Sequence, residues 1–163
     1  MQERTERAET HLGELVAVEP FYHEEYGDCC RLHLGDGGTV LDRRSIRGVK
    51  QALTRRKALN TKYLRELCGG ELERRLSLPL PLAADLILVP LKMRLPLTAN
   101  DSAYGLVNLA KVRKVVGNTK GGALLVLCSG QTLHTVSTRE TVLAHLAEGI
   151  LVYFFFRSEV WGC

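Results

Sequence analysis

An α+β fold, rich in β-structure, is predicted by three observations. Short segments carry alternating or unbroken apolar residues, glycine-bearing turns separate them, and serine or asparagine stands just before apolar residues at helical spacing. The order strand, turn, strand, helix occurs twice along the 163 residues, so an internal duplication is expected.

In the first half, Glu14–Glu19 and Cys29–Leu34 alternate in the manner of strands. Gly35-Asp36-Gly37-Gly38 tolerates the backbone angles of a tight turn, and the β-branched or apolar Thr39–Leu41 follows, which predicts a hairpin. Ser45 offers an N-cap hydroxyl ahead of Ile46, Val49 and Leu53, predicting a basic amphipathic helix to about Leu59. Asn60 caps a second helix with Tyr63, Leu64 and Leu67 on its apolar stripe, ended by Gly69-Gly70.

Pro79 and Pro81 exclude regular helix, so Leu78–Ala83 is expected to be an extended connector between halves 1–77 and 78–163 of one compact unit. Leu86–Leu91 reads as a strand buried on both faces, with Pro90 at an edge or bulge. The polar loop Thr98–Ser102 leads to a second strand cluster. In it Lys111, Arg113 and Lys114 mark a solvated edge, with Val112 and Val115 or Val116 turned inward.

At an offset of 92, Leu32 falls on Leu124, Gly38 on Gly130, Leu41 on Leu133, Ser45 on Ser137 and Arg47 on Arg139. The helical stripes match at 93 instead, which places a one-residue slip near the cap. Ser137 and Glu140 fit a capping box, and Arg139 projects from the first helical turn, where backbone N–H groups favour anions. The aromatic run Leu151–Phe156 is expected as a core or dimer-interface strand, since only Arg157 adjoins it as a basic neighbour.

Charge is uneven. Residues 1–28 carry eight acids and two bases, whereas 42–75 carry eleven bases and four acids. A basic block of this kind suits phosphates, and equally the solvated face of a helix. No apolar run reaches the roughly 18–20 residues needed to span a bilayer, and the N-terminus lacks the apolar core of a secretory signal, so a cytoplasmic protein is expected. The five cysteines lack the two-residue spacing of zinc and redox motifs, and Cys29 and Cys30, as strand neighbours, diverge. No metal, cofactor or small-molecule substrate is inferred. Cys128 and His134, across one hairpin, are the best nucleophile–base pair, but lack an orienting third group; an enzyme is not expected.

Asp101-Ser102-Ala103-Tyr104-Gly105-Leu106-Val107-Asn108, then a hairpin and Ser137-Thr138-Arg139, resembles the LytTR DNA-binding domain. The wider stretch from Ser45 to about Leu146 is similar to ComK, the competence transcription factor of Gram-positive bacteria. There a basic Arg-Ser segment precedes a proline-containing connector, an apolar strand ending in proline (Leu86–Pro90), a further proline loop (Arg94-Leu95-Pro96) and a glycine hairpin. The chain departs from both. Asn100-Asp101-Ser102 lacks the histidine common in LytTR domains, and Ala103-Tyr104-Gly105-Leu106 stands where ComK commonly has Cys-Gly-Trp-Ile.

The resemblance implies a transcriptional regulator binding double-stranded DNA as a homodimer or higher oligomer, at AT-rich boxes through the minor groove if ComK-like. Its expected DNA contacts are Arg43, Arg44, Arg47, Lys50, Arg55, Arg56, Lys92, Arg94, Asn108, Ser137 and Arg139. The arginines near Arg43 suit a narrow minor groove, whereas Asn108 and Arg139 suit base edges in the major groove. The alternative is a non-enzymatic protein-interaction module whose basic helix docks an acidic partner.

Overall fold

The computed structural model describes residues 4–68, 78–118, 120–159 and 161–162. Gly69-Gly70, Arg74, Arg75, Cys163 and the expected half boundary at residue 77 lie outside them. Among the described residues the fold is α+β and β-rich, with nine strands in two antiparallel sheets and three helices.

Strands β1 (Leu15–His23), β2 (Gly27–Leu34) and β3 (Thr39–Asp42) form a meander, followed by helices α1 (Ile46–Arg56) and α2 (Thr61–Cys68). Strands β4 (Leu80–Ala83), β5 (Leu86–Lys92) and β6 (Tyr104–Asn108) complete a six-stranded sheet of order β3-β2-β1-β6-β5-β4. Both halves of the chain therefore share it, joined where Ala17 pairs with Val107 and Val18 with Leu106. A second meander of β7 (Val112–Gly117), β8 (Ala123–Leu127) and β9 (Thr132–Thr135) forms the smaller sheet, and α3 (Arg139–Glu159) follows.

The larger sheet is covered on both faces. Leu32, Leu88 and Leu106 pack with Ile46, Val49 and Leu53 of α1 on one side. Val89, Leu91 and Val107 pack on the other against Leu125, Leu127 and Leu133 of the smaller sheet and Val142 and Leu146 of α3. A bulge between Leu15 and Ala17 lets β1 serve both, sending Leu15 and Val18 to the first core and Val16 and Ala17 to the second. Gly149 brings α3 close to β5: a Cβ there would lie 2.7 Å from Val89 Cγ2.

Several expectations are corrected. Leu78–Ala83 is not wholly a connector, since Leu80–Ala83 is an edge strand, where a proline without an N–H is tolerated. Pro90 sits in the interior strand β5 but beyond the reach of the short β4, which pairs only as far as Leu88, so its missing N–H costs no ladder bond. The aromatic run Leu151–Phe156 is helical, because α3 continues through it and buries Val152 and Phe156, four apart, against Leu64 and Leu78. Lys111 ends a short 3₁₀ turn, Leu109–Lys111, while Arg113 and Lys114 do lie on the edge strand β7, with Val115 buried and Val116 exposed.

The repeated unit is in register at 93 throughout, with no slip at the cap. Gly37 and Gly130 hold the same left-handed conformation, at φ 90° and 87°. Leu34 and Leu127 donate to Gly38 and Gln131 at 3.0 and 2.9 Å, closing equivalent turns. Ser45 caps α1 and Thr138 caps α3, its Oγ1 accepting from Thr141 N–H at 3.3 Å, so Ser137 is not the cap and Arg47 corresponds to Glu140 rather than Arg139. Shared topology alone does not make the halves duplicates, because hairpins followed by helices recur widely.

The N-terminal residues are tied to β3. Glu6 N–H donates to Leu41 O at 2.8 Å, and Leu41 N–H to Arg4 O at 2.8 Å. Buried Asp42 accepts from Ala8 N–H at 2.9 Å and from Arg44 Nη2 at 2.7 Å, and Arg44 also pairs with Glu9. The hydrogen bond from Arg44 holds the Glu9 carboxyl below its ordinary value. Burial alone would raise Asp42, but its bonds to Arg44 and the Ala8 and Arg44 N–H groups outweigh this and lower it. A depressed carboxylate stabilises the fold above its unfolded pKa of about 4 and loses that contribution as pH falls through the lower folded value. Denaturant midpoints should therefore be level near neutrality and drop below about pH 4, with Asp42→Asn flattening the acid limb of the profile.

Candidate nucleic-acid interface

Helix α1 contains four basic residues and no acid. Ser45 Oγ caps it by accepting from Gly48 N–H at 3.5 Å, and the burial of Ile46, Val49 and Leu53 turns the opposite side outward. Arg47, Gln51 and Arg55, four residues apart, lie along that exposed ridge. Lys50 is partly buried beside the helix; burial, with Arg65 nearby, pushes its amine below the ordinary lysine range.

Beyond the first turns of α1 lies a cleft of about 370 Å³. Arg47 and Lys50 form one wall, Ala99, Asn100, Asp101 and Ser102 another, and Pro90, Tyr104 and Leu106 of the sheet contribute to its lining. An adjoining hollow of about 230 Å³ extends it past Asp28 and Ser45. The structure thus brings two expected DNA contacts, Arg47 and Lys50, to the loop that begins the Asp101–Asn108 motif.

That loop is held by Tyr22 and Asp28 of the first meander and by Arg94 at its own start. Tyr22 O–H donates to Asp101 Oδ2 at 2.7 Å, and Leu97 N–H donates to Tyr22 Oη at 2.7 Å. Arg94 lies 4.3 Å above the Tyr22 ring, pairs with Asp28 at 2.7 Å and donates from Nε to Ser102 O at 2.8 Å. The Tyr22 bond holds the Asp101 carboxyl below its ordinary value, while desolvation raises the Tyr22 phenol. Between these anchors Leu95 and Leu97 are 72% and 75% exposed, so the loop presents apolar side chains to solvent instead of burying them.

The remaining expected residues divide by what already occupies them. Arg43 is exposed and stacks 4.4 Å from the Tyr26 ring centroid. Arg55 and Arg56 line a hollow of about 300 Å³ with Arg7, Glu9 and Arg44 on another side of α1. Arg44 is bonded to Asp42 and Glu9, and Arg94 forms an ion pair with Asp28 and donates to Ser102 O, so both cations already hold partners within the chain. Lys92 is half-buried at the end of β5, where its carbonyl accepts from Val136 N–H at 2.8 Å. Ser137 and Arg139 lie at the start of α3, in the layer against the other sheet face, and Arg139 Nε donates to Val115 O at 3.2 Å.

Asn108 lies in the interior. It is 2% exposed; its Nδ2 donates to Leu15 O at 3.1 Å and Asp85 O at 3.2 Å, while its Oδ1 accepts from Ala110 N–H at 3.1 Å. A side chain spent on three backbone groups has nothing to offer an adenine. Cys128 and His134 do not form a nucleophile–base pair: His134 pairs with Leu124, four residues back along β8 from Cys128, a separation of about 13 Å. Cys30 joins the core beneath α1 and burial raises its thiol pKa.

Sequence reasoning missed Leu95, Leu97, Tyr22 and Gln51. The Leu-Pro-Leu step within a polar stretch was a usable signal, since proline favours an irregular segment where apolar side chains are not automatically buried. Comparison with known protein families, with curated proteins and with solved structures finds no match to this chain.

Two substitutions separate scaffold from surface. Asn108→Ala should lower stability by about 1–3 kcal/mol in equilibrium unfolding, because it orphans buried backbone groups. Tyr22→Phe removes the O–H donated to Asp101 and the acceptor of Leu97 N–H. Amide hydrogen exchange at Leu97 should accelerate well beyond any change at Val89 or Leu106 in the sheet, and equal acceleration at all three would mean the tyrosine supports the whole fold instead.

Proposed function

We propose that the chain is a sequence-specific DNA-binding transcriptional regulator of ComK-like kind, acting in the cytoplasm as a homodimer or higher oligomer on AT-rich duplex. The observation that carries this reading is the anchored loop holding Leu95 and Leu97 in solvent beside a helix with four bases and no acid. Minor-groove proteins combine these elements: cations seek the negative potential of a narrow A·T groove, and apolar wedges enter and unstack flexible base steps. Rigidity matters because a wedge must resist the stack it opens, and Tyr22 and Arg94 hold the loop from two sides.

Burial of Asn108 weighs against the major-groove alternative, and Arg47 and Lys50 are the cations that line the cleft beside the loop. Of the acids beside the cleft, Asp28 is offset by the Arg94 cation, whereas Asp101 keeps its charge under the Tyr22 O–H. Arg43 and Arg55 are exposed farther along the same basic segment and would hold backbone phosphates.

Binding of nuclease-treated protein to AT-rich and GC-rich duplex pools across a salt series tests the proposal. Arg47→Ala should weaken binding and reduce the salt slope by about one counterion. Leu95→Ala with Leu97→Ala should leave that slope nearly unchanged while reducing preference for AT-rich duplex roughly tenfold, equivalent to about 1.4 kcal/mol. Unselective binding lost at modest salt would sink the proposal, and retention of an acidic protein under the same conditions would favour the protein-interaction module.

A further inference from the structure

Helix α3 buries one side and leaves a second apolar stripe uncovered. Val142, Leu146, Val152 and Phe156 face the interior, while Leu143, Ile150 and Phe154 are 38%, 57% and 55% exposed. Glu140, Leu143, Ala147, Ile150, Phe154 and Arg157 are all exposed and follow at intervals of three or four residues. They form one seam about 25 Å long, of the spacing by which two helices pack side by side. Leu151 and Tyr153, at 48% and 38% exposure, widen it.

The stripe is complementary to itself in reverse. About a point midway between Glu148 and Gly149, Ala147 is placed opposite Ile150, Leu143 opposite Phe154 and Glu140 opposite Arg157. From this we propose that α3 is the interface with a second copy of the chain, the two helices running antiparallel about a twofold axis at that point. Each small or medium side chain then meets a larger one, with alanine at the centre allowing close approach. Both ends close on a glutamate–arginine pair, and the Arg157 guanidinium already lies 4.9 Å from the Phe154 ring centroid, on the seam. A parallel pair would instead set Glu140 against Glu140 and Arg157 against Arg157. A twofold, isologous contact also closes on itself and leaves no further stripe exposed to propagate the assembly. This inference does not depend on DNA binding.

Sedimentation equilibrium of the full chain without nucleic acid is the test, with circular dichroism to check each variant's helix content. A concentration-dependent monomer–dimer equilibrium is expected, abolished by Ile150→Glu. Because symmetry counts every charge twice, Glu140→Arg or Arg157→Glu alone should raise the dimer dissociation constant about tenfold, and the two together should restore it. A monomer at every concentration, a dimer indifferent to Ile150→Glu, or a double reversal no tighter than either single one would overturn the proposal. Should Ile150→Glu unfold the chain, the charge-reversal set at the exposed ends of the seam still decides it.

Discussion

The short seam between β1 and β6 is the constraint on which the other elements depend. Two pairs, Ala17 with Val107 and Val18 with Leu106, join strands far apart in sequence, and the closure of so long a loop must be offset by what the junction buries. Val107 and Leu106 point to opposite cores, so this one seam anchors α1 on one face and the smaller sheet with α3 on the other. Asn108 secures it, bonding the backbone of β1 at Leu15 and of the β4–β5 turn at Asp85. A polar side chain fully satisfied in an apolar setting specifies one arrangement, because a shifted register would strand its donors and acceptor.

The cleft follows from the same geometry. The short β4 leaves the far end of β5 without a neighbour on that side, and Pro90 presents no N–H there. Residues after β5 leave the sheet, and Tyr22, reaching across from β1, fixes their return through Asp101 and Leu97. Helix α1 is set against the same sheet face by Ile46, so Arg47 and Lys50 border the cleft. Leu95 and Leu97 stay exposed on the loop so restrained.

Charge divides into two populations that composition does not separate. Arg44 and Arg94 are spent on Asp42, Glu9 and Asp28, stabilising the N-terminal segment and the loop. Arg43, Arg47 and Arg55 remain exposed along the basic segment. Glu9, one of the acids of the first 28 residues, thus acts as an internal partner of the basic block through Arg44, and the block's formal excess overstates what an outside polyanion would meet.

The sequence by itself determined the elements whose causes are local: the Gly37 and Gly130 turns, the Ser45 cap, the apolar stripe of α1, the basic edge of β7 and the irregular polar loop. Each follows from backbone sterics, one hydrogen bond or a spacing of a few residues. Tertiary structure decided whatever needed a distant partner. Asn108 at a strand end had the composition of a base reader and became a buried clamp; Arg44 found Glu9 thirty-five positions away. The aromatic run after Ile150 had the β-propensity of a strand, yet remained helical because Val152 and Phe156 pack on Leu64 and Leu78. Alternation and helical periodicity state which side chains share a face, but which face meets a core, a partner or water depends on contacts between segments far apart in the chain.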